Sequence, residues 1–218
     1  MFRKFCADGE CSTVRQNEGM PRPNRRAERR LDILEAARGV AVREGAAGTT
    51  LRAIATAAGM EPTAVLYYFD GLGEIVEELV FSASDRFIAT ITNAVAAATS
   101  PVDRMLAAIR AGATGGIAGD ESRILYEFWA VGIRDERLND ADHALDRRQA
   151  KIYRAIIDDG AANGMFEPRV THDEAATALV ALEDGLVMDI LAGTKSSDEV
   201  VALLVAVAES MLGVDLTA

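Results

Sequence analysis

The chain has 218 residues, half of them hydrophobic and few of them aromatic, so a fold with a substantial apolar core is expected. It contains no run of eighteen uncharged apolar residues and no apolar segment typical of a secretory signal, which favours the cytoplasm over a membrane. The net charge of −11 argues against nucleic-acid binding by the chain as a whole. However, residues 1–70 carry 11 Lys+Arg against 9 Asp+Glu, a net of +2, whereas residues 71–218 carry 12 against 25, a net of −13.

Residues 1–24 mix Gly, Pro, Ser and charged residues without periodicity, and we interpret them as a disordered tail. Met20 would itself make a plausible start, so residues 1–19 are either a tail or a start-site error. Cys6 and Cys11 lie in this tail with no second Cys/His pair nearby, which predicts neither a zinc site nor a disulfide framework.

A basic cluster follows, made of five arginines within nine residues: Arg22, Arg25, Arg26, Arg29 and Arg30. Such a cluster is typical of a phosphate-binding patch, although a solvated helix start has the same composition. The apolar residues that recur at three- and four-residue steps then predict a helix over 27–44: Leu31, Leu34, Ala37, Val40 and Ala41. Gly45 and Gly48 end this helix.

Two short predicted helices come next, over 51–58 and 62–68, and Gly59 joins them. Ala55 is small enough for the two helices to cross closely, Gly59 permits the positive φ of a sharp turn, and Val65 points back into a small core. Ile54 and Tyr68 are predicted to fill neighbouring interior positions. This pattern is typical of a helix-turn-helix whose second helix enters the major groove of DNA.

The ordered set Thr50-Leu51, Ile54-Ala55, Ala58-Gly59-Met60 and Tyr67-Tyr68-Phe69 resembles the DNA-binding domain of TetR/AcrR-type repressors over about fifty residues. The resemblance implies phosphate contacts by Thr50 with Arg52 beside it, and by Tyr68, which also packs partly inward. It implies base contacts by Thr63, Ala64 and Tyr67, and a basic arm formed by Arg22, Arg25 and Arg26.

Two positions depart from this family pattern. Leu66 stands where many relatives have a tyrosine, and Leu72 stands where many have a lysine that contacts a phosphate. Each lost phosphate contact flattens the slope of log K against log salt by roughly 0.9. Glu61 adds a negative charge near the groove, so we expect weaker or more hydrophobic DNA contact than is typical.

The rest of the chain predicts six further helices, over about 72–98, 101–117, 121–133, 138–163, 172–192 and 198–212. No strand alternation occurs, so the fold class is all-α. We divide the chain into a tail (1–24), a three-helix helix-turn-helix domain (25–71) and a helical bundle for ligand binding and dimerisation (72–218). Segments such as GAANGMFEP and ALEDGLVMDIL resemble the choline-repressor-like (BetI-like) branch of the family.

By this resemblance the C-terminal helices enclose an effector pocket, with Met105, Tyr126, Trp129 and Met188 as candidate contacts. Ordinary core packing remains the alternative, since a pocket wall and a core need the same apolar bulk. Acidic residues on otherwise apolar helices suggest a cationic or amine-bearing effector, unless they face solvent or pair with residues such as Arg123. These residues are Glu127, Glu183, Asp184 and Asp189.

Small residues on the helix over 172–192 permit close helix approach and, with the preceding long helix, resemble the family's dimer face. The candidates are Ala175, Ala178, Leu182 and Gly185, flanked by Ala181 and Met188. A face internal to the protomer is the alternative. A symmetric dimer would require a roughly palindromic operator.

No GxSxG, HExxH or phosphate-cradling glycine loop occurs, and neither His143 nor His172 has a convergent cluster, so we expect no enzyme, metal or cofactor. The predicted function is a repressor in which an effector shifts the fourth helix and moves the DNA-binding domains apart. The rivals are an activator or nucleoid-like binder of the same fold, and a helical ligand- or partner-binding protein with weak or lost DNA binding.

Overall fold

The computed structural model describes residues 25–114 and 119–217, and the regular elements within these ranges are nine α-helices, which confirms the all-α prediction. In chain order they are α1 (Arg25–Gly48), α2 (Leu51–Ala57), α3 (Pro62–Val65), α4 (Leu72–Ala97), α5 (Pro101–Thr114), α6 (Asp120–Gly132), α7 (Glu136–Ala162), α8 (His172–Leu191) and α9 (Ser197–Leu212). The predicted tail, Arg22 included, lies outside the described residues.

Helices α1 to α3 form a small head around one apolar cluster. Ile33 of α1 packs with Ile54 and Ala55 of α2, with Val65 of α3 and with Phe69 beyond it, and all five are buried. The predicted interior positions of Ile54, Ala55 and Val65 are therefore confirmed. Tyr68 is partly buried and packs against the same cluster.

The turn between α2 and α3 is the one that the glycine predicts. Gly59 has φ +64°, and its amide donates to the carbonyl of Thr56, while the amide of Met60 donates to that of Ala55. These two bonds are the Schellman pattern, which satisfies the last carbonyls of α2 and reverses the chain. The chain can then begin α3 at Pro62, in the first turn, where proline lacks only a donor that has no helical partner.

Helix α3 is shorter than predicted, because only Pro62–Val65 is helical and residues 66–68 form a tighter turn. The amides of Tyr67 and Tyr68 bond three residues back, to Ala64 and Val65. This tightening brings Phe69 into the core of the head.

Helix α1 departs from its predicted face at one end. Leu31 is 66% exposed, whereas Ile33 is fully buried, so the inward stripe runs through Ile33, Ala37, Val40 and Ala41. The helix is kinked at Gly45 (φ 68°, ψ −174°) and continues for one turn beyond it.

Helix α4 links the head to the C-terminal half. Its first turn places Ile75 in the core of the head, and its middle packs against α1, α6 and α7 through Leu79 and Ala83. Its later residues Phe87 and Ile91 belong to a third cluster, built with α5, α7, α8 and α9. At the start of α8, Thr171 and Glu174 form a capping box.

No helix within residues 25–114 and 119–217 is both long and apolar enough to cross a bilayer.

Candidate DNA-binding surface and ligand cavity

One face of the head carries the side chains predicted to contact DNA. Tyr67 is 70% exposed, Thr63 and Arg52 are exposed, and Ala64 is half-buried. Thr50 is the N-cap of α2, where its hydroxyl accepts from the amide of Ala53 at 3.1 Å. The start of α2 thus presents backbone amides and a hydroxyl at the same surface, a combination that suits a phosphate.

Arginines of α1 contact the aromatic residues of this face. Arg30 donates to the carbonyl of Tyr68, pairs with Glu74 at 2.9 Å and lies 4.0 Å from the centre of the Phe69 ring. Arg26 lies 5.6 Å from the centre of the Tyr67 ring, which meets the Tyr68 ring edge-on. Arg25 and Arg26 of the predicted basic arm are exposed at the start of α1.

A cavity of about 460 Å³ lies in the C-terminal half, between α4, α5, α6, α7 and α8. This volume is within the range of about 300–1,000 Å³ found for small-molecule sites. Its apolar and aromatic wall comprises Phe87, Leu125, Tyr126, Trp129, Leu145, Val187 and Met188. Its carboxylates are Asp142, Asp146, Glu183 and Asp184, with His143 and Gln149 beside them.

Glu183 lines the cavity and is almost completely buried, with 2% of its surface exposed. Its two oxygens accept from the amide of Gln149 and the hydroxyl of Tyr153, each at 2.6 Å. Gly112 of α5 makes this arrangement possible, since a Cβ there would lie 2.2 Å from Oε1 of Glu183. The Tyr126 hydroxyl donates to Oδ1 of Asp184 at 3.1 Å.

The cavity raises the pKa of every carboxylate in its wall. Burial raises the pKa of Glu183 to about 8, although the hydrogen bond from Tyr153 acts in the opposite direction. Burial and the charge of Asp146 raise the pKa of Asp184 to about 6. Burial likewise raises the pKa of Asp142 and, together with the charge of Asp142, that of Asp146. The ionised forms of these groups are therefore poorly stabilised in the ligand-free protein.

Three of the four predicted ligand contacts, Tyr126, Trp129 and Met188, line this cavity. Met105 does not: it is fully buried on α5, within the core cluster that α5 forms with α4, α7, α8 and α9. Its apolar bulk fills that core, so we remove it from the candidate contacts.

The acidic residues predicted to face an effector separate into two groups. Glu183 and Asp184 line the cavity. Glu127 instead accepts from the amide of Ala46 at 3.0 Å, directly after the kink of α1, and Asp189 pairs with Lys195 at the end of α8. These two carboxylates have partners elsewhere and do not face the cavity.

The predicted dimer residues also differ in position. Ala178, Gly185 and the flanking Ala181 are exposed, and Leu182 is partly so. Ala175 is fully buried in the core of its own protomer and cannot touch a partner, because it lies on the face of α8 that packs into the core cluster. Gly185 and Met188 additionally line the cavity.

Neither histidine belongs to a metal-binding cluster in the part of the chain that the structure describes. His143 lies on the cavity wall, and His172 places Nδ1 2.5 Å from Asp158 at the start of α8.

Sequence reasoning missed three polar residues of the cavity, Asp142, Asp146 and Gln149. A signal existed: they lie four and then three residues apart on α7, on the side that also carries the buried Leu145 and Tyr153. Polar residues on the buried face of an amphipathic helix are costly without a function or a partner.

Two family descriptions match the chain. Residues 33–79 match "Bacterial regulatory proteins, tetR family", and residues 101–213 match "BetI-type transcriptional repressor, C-terminal". The first match spans the helix-turn-helix, and the second spans the helices that line the cavity, except α4.

Curated relatives agree with these matches. The chain is 28% identical to the transcriptional regulator BetI of Paraburkholderia phymatum, over 77% of this chain and 83% of that protein. It is 24% identical to the transcriptional repressor KstR2 of Mycolicibacterium smegmatis, over 69% and 74% of the two chains.

Solved structures have the same fold. A transcriptional regulator of Saccharomonospora viridis in complex with choline superposes with a TM-score of 0.74 at 25% identity, covering 85% of this chain and 98% of that one. A TetR-family regulator of Rhodococcus gives a TM-score of 0.74 at 20% identity, covering 84% and 98%.

Proposed function

The chain belongs to the TetR family of DNA-binding transcriptional regulators, with a BetI-type C-terminal domain, and we propose that a small cationic effector releases it, as a dimeric repressor, from a palindromic operator. The observation that carries the proposal is the cavity of about 460 Å³, whose wall holds four carboxylates and several aromatic rings. Family membership favours DNA binding over the rival in which that activity is lost.

On the operator, Thr63, Ala64 and Tyr67 would meet base edges in the major groove, since their side chains share the outer face of α3 and the turn after it. Phosphates would be held by side chains around this face, namely Thr50, Arg52, Tyr68, Arg25, Arg26 and, beyond the described residues, Arg22. The exposed Leu66 adds apolar contact instead of a hydrogen bond.

Dimerisation would use the outer faces of α8 and α9. Ala178, Ala181 and Gly185 on α8 leave room for close approach, and Leu203 and Val207 on α9 are large exposed apolar side chains. The exposed face of α7 is instead mostly charged or polar: Asp140, His143, Arg147, Arg148 and Lys151. We therefore propose α9, rather than α7, as the second helix of the predicted dimer face.

The effector class follows from the wall of the cavity. Ionised carboxylates in the wall, such as Asp184 at neutral pH, repel anions, and the faces of Tyr126, Trp129 and Phe87 attract cations. The neighbour from Saccharomonospora viridis holds choline, which is such a cation.

Helix α6 provides a route from the cavity to the head. It carries Tyr126 and Trp129 on the cavity side, while Glu121 pairs with Arg38 of α1 at 2.9 Å and Glu127 holds the amide of Ala46. An effector that binds better when α6 is displaced would move α1, and through α4 the whole head, and so change the spacing of the two recognition helices.

Fluorescence anisotropy tests the proposal on a DNA duplex that the protein selects from a random-sequence pool. We expect Tyr67→Ala to weaken binding by about 10- to 100-fold, since one base contact is worth about 1–3 kcal/mol. Phe81→Ala, which removes an exposed ring from α4, is the matched control and should have no effect.

In the same assay, choline or hexamethylenediamine should weaken DNA binding, and glutarate, a dianion, should not. Release by glutarate, or no response to either cation, would contradict the proposed function.

A further inference from the structure

The four carboxylates of the cavity lack the counter-charges that acids receive elsewhere in the protein. Among residues 25–114 and 119–217, none of Asp142, Asp146, Glu183 and Asp184 forms an ion pair. Outside the cavity, the partly buried Glu74 and Glu121 are paired with Arg30 and Arg38. The cavity therefore concentrates acidic groups whose ionised forms are not stabilised by any ion pair within the described residues.

The contacts of these acids come from neutral donors. Tyr153 and Gln149 donate to Glu183, and Tyr126 donates to Asp184. Asp146 has no side-chain hydrogen bond to any residue that the structure describes. Arg147 acts on Asp146 through space without an ion-pair contact.

The acids also act on one another. Asp184 is close enough to Asp142 and Asp146 for their charges to raise its pKa, and Asp184 raises that of Glu183 in turn. A ligand with one positive charge relieves only part of this repulsion, whereas a ligand with two can place one charge beside the α7 pair and one beside the α8 pair.

The size and the lining of the cavity agree with a two-ended ligand. A volume of about 460 Å³ would hold about fifteen waters at about 30 Å³ each, far more space than a molecule as small as choline fills. Leu125, Leu145, Val187 and Met188 provide apolar wall for an uncharged stem between two charged ends.

We infer that the effector of this protein carries two cationic groups on an apolar stem, as in an alkyl diamine or a bis-quaternary ammonium compound. The inference rests on the proposed function and narrows its ligand class from cations in general to dications.

Titration calorimetry with the full chain compares three probes of equal stem length: hexamethylenediamine, hexylamine and hexanediol. We expect the diamine to bind at least about ten-fold more tightly than the monoamine, a difference of about 1.4 kcal/mol, and the diol not to bind. Asp146→Asn should reduce this preference, whereas Asp140→Asn, an exposed acid of α7 that does not line the cavity, should leave it unchanged.

The outcomes separate the inference from the proposed function. Equal affinities for hexylamine and hexamethylenediamine, or equal effects of Asp146→Asn and Asp140→Asn, would contradict the inference that the effector is a dication. The proposal of a cationic effector would still stand. Binding of the diol but of neither amine would overturn both. Circular dichroism of Asp146→Asn confirms that the variant is folded, which is expected because the change removes a repelling charge.

Discussion

Acidic side chains have different partners in the head and in the cavity. In and beside the head, acids meet arginines: Arg30 joins Glu74, and Arg38 joins Glu121. In the cavity, acids meet only neutral donors and other acids. The functional side chains differ too, since those of the head, such as Tyr67, point outward, and those of the cavity point inward.

This difference indicates two kinds of functional surface. In the head, Glu74 is paired with Arg30, and outer side chains such as Tyr67 are exposed and can meet DNA. The cavity is electrostatically incomplete, and a protein that holds repelling charges gives up stability that a ligand of opposite charge can restore. Single substitutions in the head and in the cavity test this difference.

The largest expected effect comes from Val65→Asn, which places an unpaired amide in the core of the head, where Val65 is fully buried. We expect DNA binding to fall by roughly 100-fold or more, equivalent to about 3 kcal/mol, because the recognition surface loses its support. Titration with hexamethylenediamine should be unchanged, because the cavity lies in another apolar cluster.

Phe81→Asn is the control, since Phe81 on α4 is 44% exposed and the same amide would stay hydrated. The separation of the two regions would be refuted if Val65→Asn abolished ligand binding as well.

An intermediate effect is expected from Glu183→Gln. The folded protein raises the pKa of Glu183 from 4.5 to about 8, so the wild-type chain is favoured at low pH and loses stability as the pH rises from about 5 through 8. The variant has no such proton, and its melting temperature should exceed that of the wild type by several °C at pH 9, since each 1 kcal/mol shifts Tm by about 2–4 °C.

The difference between the two melting temperatures should shrink towards pH 5, where Glu183 is protonated in the folded state. Asp140→Asn again serves as a control and should show no such pH-dependent difference. A gap that stays constant between pH 5 and pH 9 would mean that Glu183 does not remain protonated in the folded protein.

The smallest effects come from two glycines around which an added Cβ would meet nothing within 4 Å. Gly59→Ala should lower the free energy of unfolding by about 1–2 kcal/mol, because Gly59 has φ +64°. Gly73→Ala, inside α4, should raise it by up to about 1 kcal/mol, because alanine favours helix. Urea denaturation measures both, and changes of the same sign would contradict the turn geometry.

The sequence predicts the head well because its features are local. The spacing of Ile54, Ala55, Gly59 and Val65 determines a turn and a small core within a dozen residues. The errors in this region lie where tertiary packing takes over: Ile33 replaces Leu31 on the buried stripe, and the turn after Val65 tightens to bury Phe69.

The cavity was predicted less well because its wall depends on which helices meet. Met105 and Met188 are both methionines on apolar helices, yet Met105 on α5 lies in the core and Met188 on α8 lines the cavity. Ala175 has the small side chain expected of an interface but is covered by its own protomer. The polar face of α7 is visible as a pattern in the sequence, but its partner on α8 lies thirty or more residues away along the chain.

The kink at Gly45 has a consequence for the sensitivity of the protein. The amide of Ala46, directly after the kink, donates to the carboxylate of Glu127, so a hydrogen bond joins the end of α1 to α6. In the proposed mechanism, the length of the Glu127 side chain, which does not line the cavity and lies outside the proposed DNA surface, would add to the Arg38–Glu121 ion pair in limiting how far α6 moves before it displaces α1. The threshold of the response can therefore be tuned by residues that contact neither of the molecules to which the protein responds.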